Sequence, residues 1–112
     1  MHRLCFALIP IAFTIASFCS NIPAGECVEG NCQSGEGRFV YSDGPSVYTG
    51  AFKDALPHGY GVRAYPDKSV YDGEFVAGKR EGFGTLDLGD ARYTGAWEND
   101  RYNGYGTYEF LN

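Results

Sequence analysis

From Tyr48 onward, apolar and polar residues alternate in short runs that fit the two-residue period of a β-strand rather than the longer period of a helix. In Tyr48-Thr49-Gly50-Ala51-Phe52, Tyr71-Asp72-Gly73-Glu74-Phe75 and Tyr93-Thr94-Gly95-Ala96-Trp97, the first, third and fifth residues are tyrosine, glycine and an aromatic. Seven residues after each fifth-position ring stands a Gly-x-Gly: Gly59-Tyr60-Gly61, Gly82-Phe83-Gly84 and Gly104-Tyr105-Gly106. The three tyrosines lie 23 and 22 residues apart, and an incomplete copy, Gly35-Glu36-Gly37, precedes the first Gly-x-Gly by 24 residues. A fixed period of this length marks a repeat architecture in which no unit buries its own apolar face.

Each unit divides into two extended runs around turn-forming residues: Lys53-Asp54-Ala55-Leu56-Pro57, Ala77-Gly78-Lys79-Arg80 and Glu98-Asn99-Asp100-Arg101. Asp43-Gly44-Pro45-Ser46, Pro66-Asp67-Lys68-Ser69 and Gly89-Asp90 connect one unit to the next. Connections this short force neighbouring strands antiparallel. The pattern therefore predicts an all-β, elongated, single-layer antiparallel meander of stacked β-hairpins. The array should cover 27–112, with a partial repeat at 27–41 and full repeats at 48–65, 71–88 and 93–110. Alternation puts Tyr48, Gly50 and Phe52, with their counterparts Tyr71, Gly73, Phe75 and Tyr93, Gly95, Trp97, on one face. Gly59, Gly61, Arg63 and Tyr65 should share that face, as should Gly82, Gly84, Leu86 and Leu88, and Gly104 and Gly106 hold the matching positions in the last unit. Glycine weakens a strand unless another group approaches closely, and here the approaching group is a ring.

These positions resemble the MORN (membrane occupation and recognition nexus) repeat, and the resemblance covers about Cys27 to Asn112. It implies a protein-binding or membrane-associated scaffold. Some members carry a separate kinase or methyltransferase domain, and this chain has no sequence of that kind. The first copy departs from the family in lacking the Tyr-x-Gly-x-Phe half, with a cysteine pair in its place; such a unit could serve as an amino-terminal cap.

The amino-terminal segment is different in kind. Leu4 to Cys19 carries no charge, Arg3 precedes it, and the first acidic residue is Glu26. A basic start, an apolar run and small residues at Ser17 and Cys19 describe a signal peptide over 1–19, followed by a linker over 20–26. The alternatives are an uncleaved membrane anchor through residues 4–19 and a lipid on Cys19, for which Phe18 and Ala16 are poor neighbours. Export would leave Cys27 and Cys32 as one disulfide, and a two-residue turn at Glu29-Gly30 would set the two opposite each other. Two free thiols or half of a metal site compete with that pairing, but His58 is the only histidine beyond the leader, too few for a usual zinc site. No cofactor is expected.

Charge narrows the partners. The chain has 9 Lys/Arg and 14 Asp/Glu, a net charge of −5, which argues against nucleic acid and against strong attraction to anionic lipid. Lys79-Arg80, the only adjacent basic pair, reads as a solvated turn. On the face opposite the core, Thr49, Ala51, Asp72, Glu74, Thr94, Ala96 and Glu98 are small or acidic, and Tyr60, Phe83 and Tyr105 should form a row of rings. That row is either a partner-binding stripe or packing against sheet curvature. The final strand, 104–110, is apolar enough for strand addition to another chain or a second copy.

The glycine pairs lack the third glycine and the helix of a nucleotide loop. Ser34, Ser42, Ser46 and Ser69 have no partnered base, and the carboxylates sit in turns or on the wet face. The reading is an exported, non-catalytic module that engages a protein partner or a membrane surface. A phospholipid-binding tether and a small hydrolytic enzyme are the alternatives, the latter requiring a pocket with convergent polar groups.

Overall fold

The computed structural model describes residues 24–44 and 46–111. The apolar segment read as a signal peptide or anchor lies outside them, as does Cys19. Eight strands follow in chain order: β1 (Gly25–Gly30), β2 (Glu36–Tyr41), β3 (Val47–Lys53), β4 (Leu56–Ala64), β5 (Val70–Val76), β6 (Lys79–Asp87), β7 (Ala91–Glu98) and β8 (Arg101–Phe110). Each pairs antiparallel with the next, giving one open sheet in the order β1 to β8. The body measures 59 × 24 × 23 Å. The all-β single-layer meander expected from the repeat is what the chain forms.

The hairpin tips are two-residue turns at Asp54-Ala55, Ala77-Gly78 and Asn99-Asp100, all six residues at positive φ. That geometry matches strand twist and is the turn normally written with Asn-Gly. The turns are tighter than the runs of turn-formers suggested: Leu56-Pro57, Lys79-Arg80 and Arg101 already belong to the return strands. The linking turns are tied by aspartates. Asp43 accepts from the Ser46 N–H at 3.1 Å, Asp67 from the Ser69 N–H at 2.9 Å and its hydroxyl at 2.6 Å, and Asp87 from the Gly89 N–H at 2.9 Å. These bonds, the hydroxyl's foremost, hold the Asp67 carboxyl below its usual range.

A bulge bends each full hairpin. Gly50 pairs with Gly61 and Phe52 with Pro57, so His58, Gly59 and Tyr60 stand opposite the single residue Ala51. Glu81, Gly82 and Phe83 face Glu74 in the next unit, and Asn103, Gly104 and Tyr105 face Ala96 in the last. Extra residues on one strand kink it and raise its twist, and one layer of sheet thereby encloses a core. Tyr48 and Tyr71 are wholly buried, with Phe52, Phe75, Leu86, Tyr93 and Trp97 close behind.

The rings make a continuous herringbone. Tyr48–Phe52, Tyr48–Phe75, Tyr71–Phe75, Tyr71–Trp97 and Tyr93–Trp97 all meet edge-on, with centroids 5.0 to 5.4 Å apart. Each of these three tyrosines thus touches the aromatic of its own unit, and Tyr48 and Tyr71 also touch that of the next. Each such contact contributes about 0.5–1.5 kcal/mol beyond burial. A Cβ on Gly61, Gly84 or Gly106 would overlap the ring of Tyr48, Tyr71 or Tyr93. Rings do lie over the second glycine of each pair, but not over the first: the bulge turns Gly59, Gly82 and Gly104, expected on the core face, toward Ala51, Glu74 and Ala96 on the other side of the sheet.

Each tip also bonds to the unit before it. The amides of Ala55, Gly78 and Asp100 donate to the carbonyls of Gln33, Pro57 and Arg80 at 3.0, 2.8 and 3.0 Å.

Candidate functional site

Alternation leaves a second face of the sheet outside the core, and the register fixes what it displays. Tyr60 lies opposite Glu74, and Phe83 opposite Ala96. The bulges put Tyr60 beside Ala51, Phe83 beside Glu74 and Tyr105 beside Ala96. One row across the strands therefore reads Ala51, Tyr60, Glu74, Phe83, Ala96, Tyr105. Its three rings sit on alternate strands, about 10 Å apart by sheet geometry. They are exposed by 63, 57 and 91%, so packing into sheet curvature does not account for them. A parallel row holds Thr49, Val62, Asp72, Thr85, Thr94 and Thr107, in which the Thr85 and Thr94 hydroxyls lie 3.3 Å apart. Asp72, Glu74 and Glu98 are exposed and give this face its acidic character.

The core face offers shallower chemistry. Tyr65, Pro66, Asp67, Ser69, Arg80, Leu86 and Leu88 line an open cleft of about 450 Å³. Asp67 is bonded to Ser69, and Arg80 Nε donates to Asp100 Oδ1 at 3.0 Å, so the charged groups of this cleft are engaged with a serine or with a tip. Arg80 is not the solvated turn residue its sequence context suggested. Its guanidinium lies 4.7 Å from the Trp97 ring centre, and it holds the next tip through Asp100. Arg63 plays a related part, 4.0 Å over Tyr41 and donating to the Ser46 hydroxyl at 2.9 Å. A basic residue opposite a tyrosine position was visible in the chain, but the ring beneath it belongs to another unit.

His58 Nδ1 accepts the Ala77 amide at 3.2 Å, and the equivalent residue one unit later, Glu81, accepts the Asn99 amide at 2.9 Å. Both hold the following tip. Ser46 and Ser69 are buried in linking turns on their aspartates. Cys27 and Cys32 form a disulfide with Cα atoms 5.9 Å apart. The turn expected at Glu29-Gly30 is not there. Both residues continue β1, and the chain reverses after Asn31, whose side-chain oxygen accepts the amides of Gln33 and Ser34 at 2.9 and 3.1 Å. An Asx turn competes well with a Glu-Gly pair, which lacks the side chain that favours a left-handed first position. In β8 every residue is exposed, Phe110 by 78%, and among the described residues its outer edge carries no strand.

Comparison with known proteins agrees with this geometry. The MORN repeat family model matches residues 33–46, 48–70, 71–90 and 93–112. MORN repeat-containing protein 3 of Xenopus laevis is 37% identical over 84 residues, covering 68% of this chain and 35% of that protein. Alsin of Rattus norvegicus is 31% identical, and alsin of Homo sapiens 30%, each over 71 residues, 58% of this chain and 4% of theirs. The chain spans about a third of the first relative's length and a small fraction of the others'.

Proposed function

The chain belongs to the MORN repeat family, and from that premise we propose that it is an exported, non-catalytic binding and scaffold module whose outer face docks a protein partner. The observation that carries this reading is the exposed row of Tyr60, Phe83 and Tyr105 across a single sheet. Large rings held open to water are what a protein surface rarely keeps without a partner, and aromatic residues dominate interface energetics. Glu74 between the first two rings and Asp72 beside it select the partner's charge: a segment that alternates basic and apolar side chains. Each cation would meet a carboxylate or the face of a ring.

The same acidity speaks against a phospholipid tether, since anionic headgroups would meet Asp72 and Glu74 rather than lysines. The test uses an alternating Lys-Leu peptide and, in parallel, phosphatidylserine vesicles. The expected result is salt-sensitive peptide binding, weak vesicle binding, and loss of the peptide signal in a Tyr60→Ser, Phe83→Ser, Tyr105→Ser chain with an unchanged melting temperature. Preference for the vesicles, or peptide binding that ignores the three substitutions, rejects the proposal.

A further inference from the structure

We propose that the Cys27–Cys32 disulfide is the covalent counterpart of the ring pair in the first repeat, and that its reduction releases β1 and opens the sheet at β2. The register carries the equivalence. Gly30 pairs with Gly37 as Gly50 pairs with Gly61, Gly73 with Gly84 and Gly95 with Gly106. Two residues beyond the first glycine of each pair stand Cys32, Phe52, Phe75 and Trp97. Two residues beyond the second stand Phe39, Arg63, Leu86 and Tyr108, whose strand partners are Cys27, Tyr48, Tyr71 and Tyr93. The two cysteines therefore occupy the tyrosine and phenylalanine seats.

Sequence spacing hides this because pairing jumps from Cys27 to Glu29, which leaves Val28 as a bulge residue. Without Val28 the segment reads Cys-x-Gly-x-Cys, in step with Tyr-x-Gly-x-aromatic. The space above the second glycine is filled in the same manner. A Cβ on Gly37 would come within 2.9 Å of the Cys32 sulfur, where a tyrosine ring stands in the other units. Cys32 is buried in the same apolar cluster as Phe52.

All six residues of β1 are exposed, and it has no ring of its own on the core. Its attachment is the ladder to β2 and the sulfur bridge. A bridge can be undone where a ring pair cannot, and Cys27 is at the surface. A dithiol's thiolate attacks the Cys27 sulfur, and Cys32 departs as a thiolate and takes a proton. The reductant's second thiol then displaces Cys27, which is protonated in turn. Two electrons and two protons pass to the protein, and the reductant leaves as its own cyclic disulfide. With the bridge gone, β1 keeps only its ladder, and the freed edge of β2 becomes open to another strand.

Amide hydrogen exchange on the full chain tests this in four states: oxidised, treated with dithiothreitol, Cys27→Ser/Cys32→Ser, and Cys27→Tyr/Cys32→Phe with Val28 deleted. The oxidised and ring-restored chains should protect 25–30 and 36–41, the ring-restored one with or without dithiothreitol. The reduced and serine chains should exchange there at least tenfold faster while 70–98 stays unchanged. Undiminished protection in the serine or reduced chain overturns the proposal, as does a ring-restored chain that exchanges as fast as the serine variant.

Discussion

A tyrosine buried on a single sheet has to place its hydroxyl, and Tyr48, Tyr71 and Tyr93 solve that in one way. Each donates to the carbonyl three residues on, that of Ala51, Glu74 or Ala96, at 2.8, 3.1 and 2.9 Å. The acceptor is the residue opposite the bulge, so the bond fastens the bend. Removing one hydroxyl by Tyr71→Phe should cost about 1 kcal/mol in urea unfolding, with the ring packing kept. Burial also holds the Tyr48 and Tyr71 phenols protonated well above the ordinary tyrosine range. In the unfolded chain they ionise near pH 10. Their folded pKa is the higher one, so the stabilisation is complete below about pH 10 and is lost as pH rises through the folded value. Melting temperature should therefore hold from pH 7 to 9 and fall above about pH 10. A Tyr48→Phe/Tyr71→Phe chain should show a shallower fall.

At the scale of the hairpin, the tips reveal what packing can override. Asp54 and Ala55 both sit at positive φ, 54° and 67°, where a Cβ costs about 1–2 kcal/mol. Ala55→Gly should raise the melting temperature by a few degrees, because relief of that cost outweighs the added freedom of the unfolded chain. An unchanged or lower melting temperature would show that the Ala55 side chain holds the tip. The full hairpins were legible in the chain because their strands carry the ring and glycine positions in a fixed step. The first hairpin was legible only in part. Its disulfide could be read from an even pair of cysteines, whereas its turn was misplaced, since Asn31 capping two amides and the Val28 bulge leave no periodic trace. The tip-holding roles of His58, Glu81 and Arg80 were also hidden, because each acts on the unit after its own.

Over the whole molecule, stability is a sum of units and seams, as expected of a one-dimensional array. The herringbone of rings supplies the seams, and at the last unit Tyr102 swings onto Tyr93, centroids 4.2 Å apart. This also explains why the core was readable and the outer face only in outline. Core identity is written into every repeat, while the outer row depends on bulges that bring Tyr60, Phe83 and Tyr105 into one line. Strand addition along the exposed β8, expected from the sequence, is a separate proposal with its own test: sedimentation should show concentration-dependent association that a charge on the edge, Thr107→Lys, abolishes. A monomer at every concentration would remove it.

The ring-over-glycine contact is the claim on which the stacking depends, and a double-mutant cycle on Tyr93 and Gly106 measures it. Gly106→Ala should cost about 1–3 kcal/mol in urea unfolding, the range for forcing a methyl into a packed site. The cost should shrink to a small fraction in a Tyr93→Leu background, where the ring that the methyl would strike is gone. An equal cost in both backgrounds would mean that the glycine serves the backbone alone, and the account of how one hairpin builds on the last would be wrong.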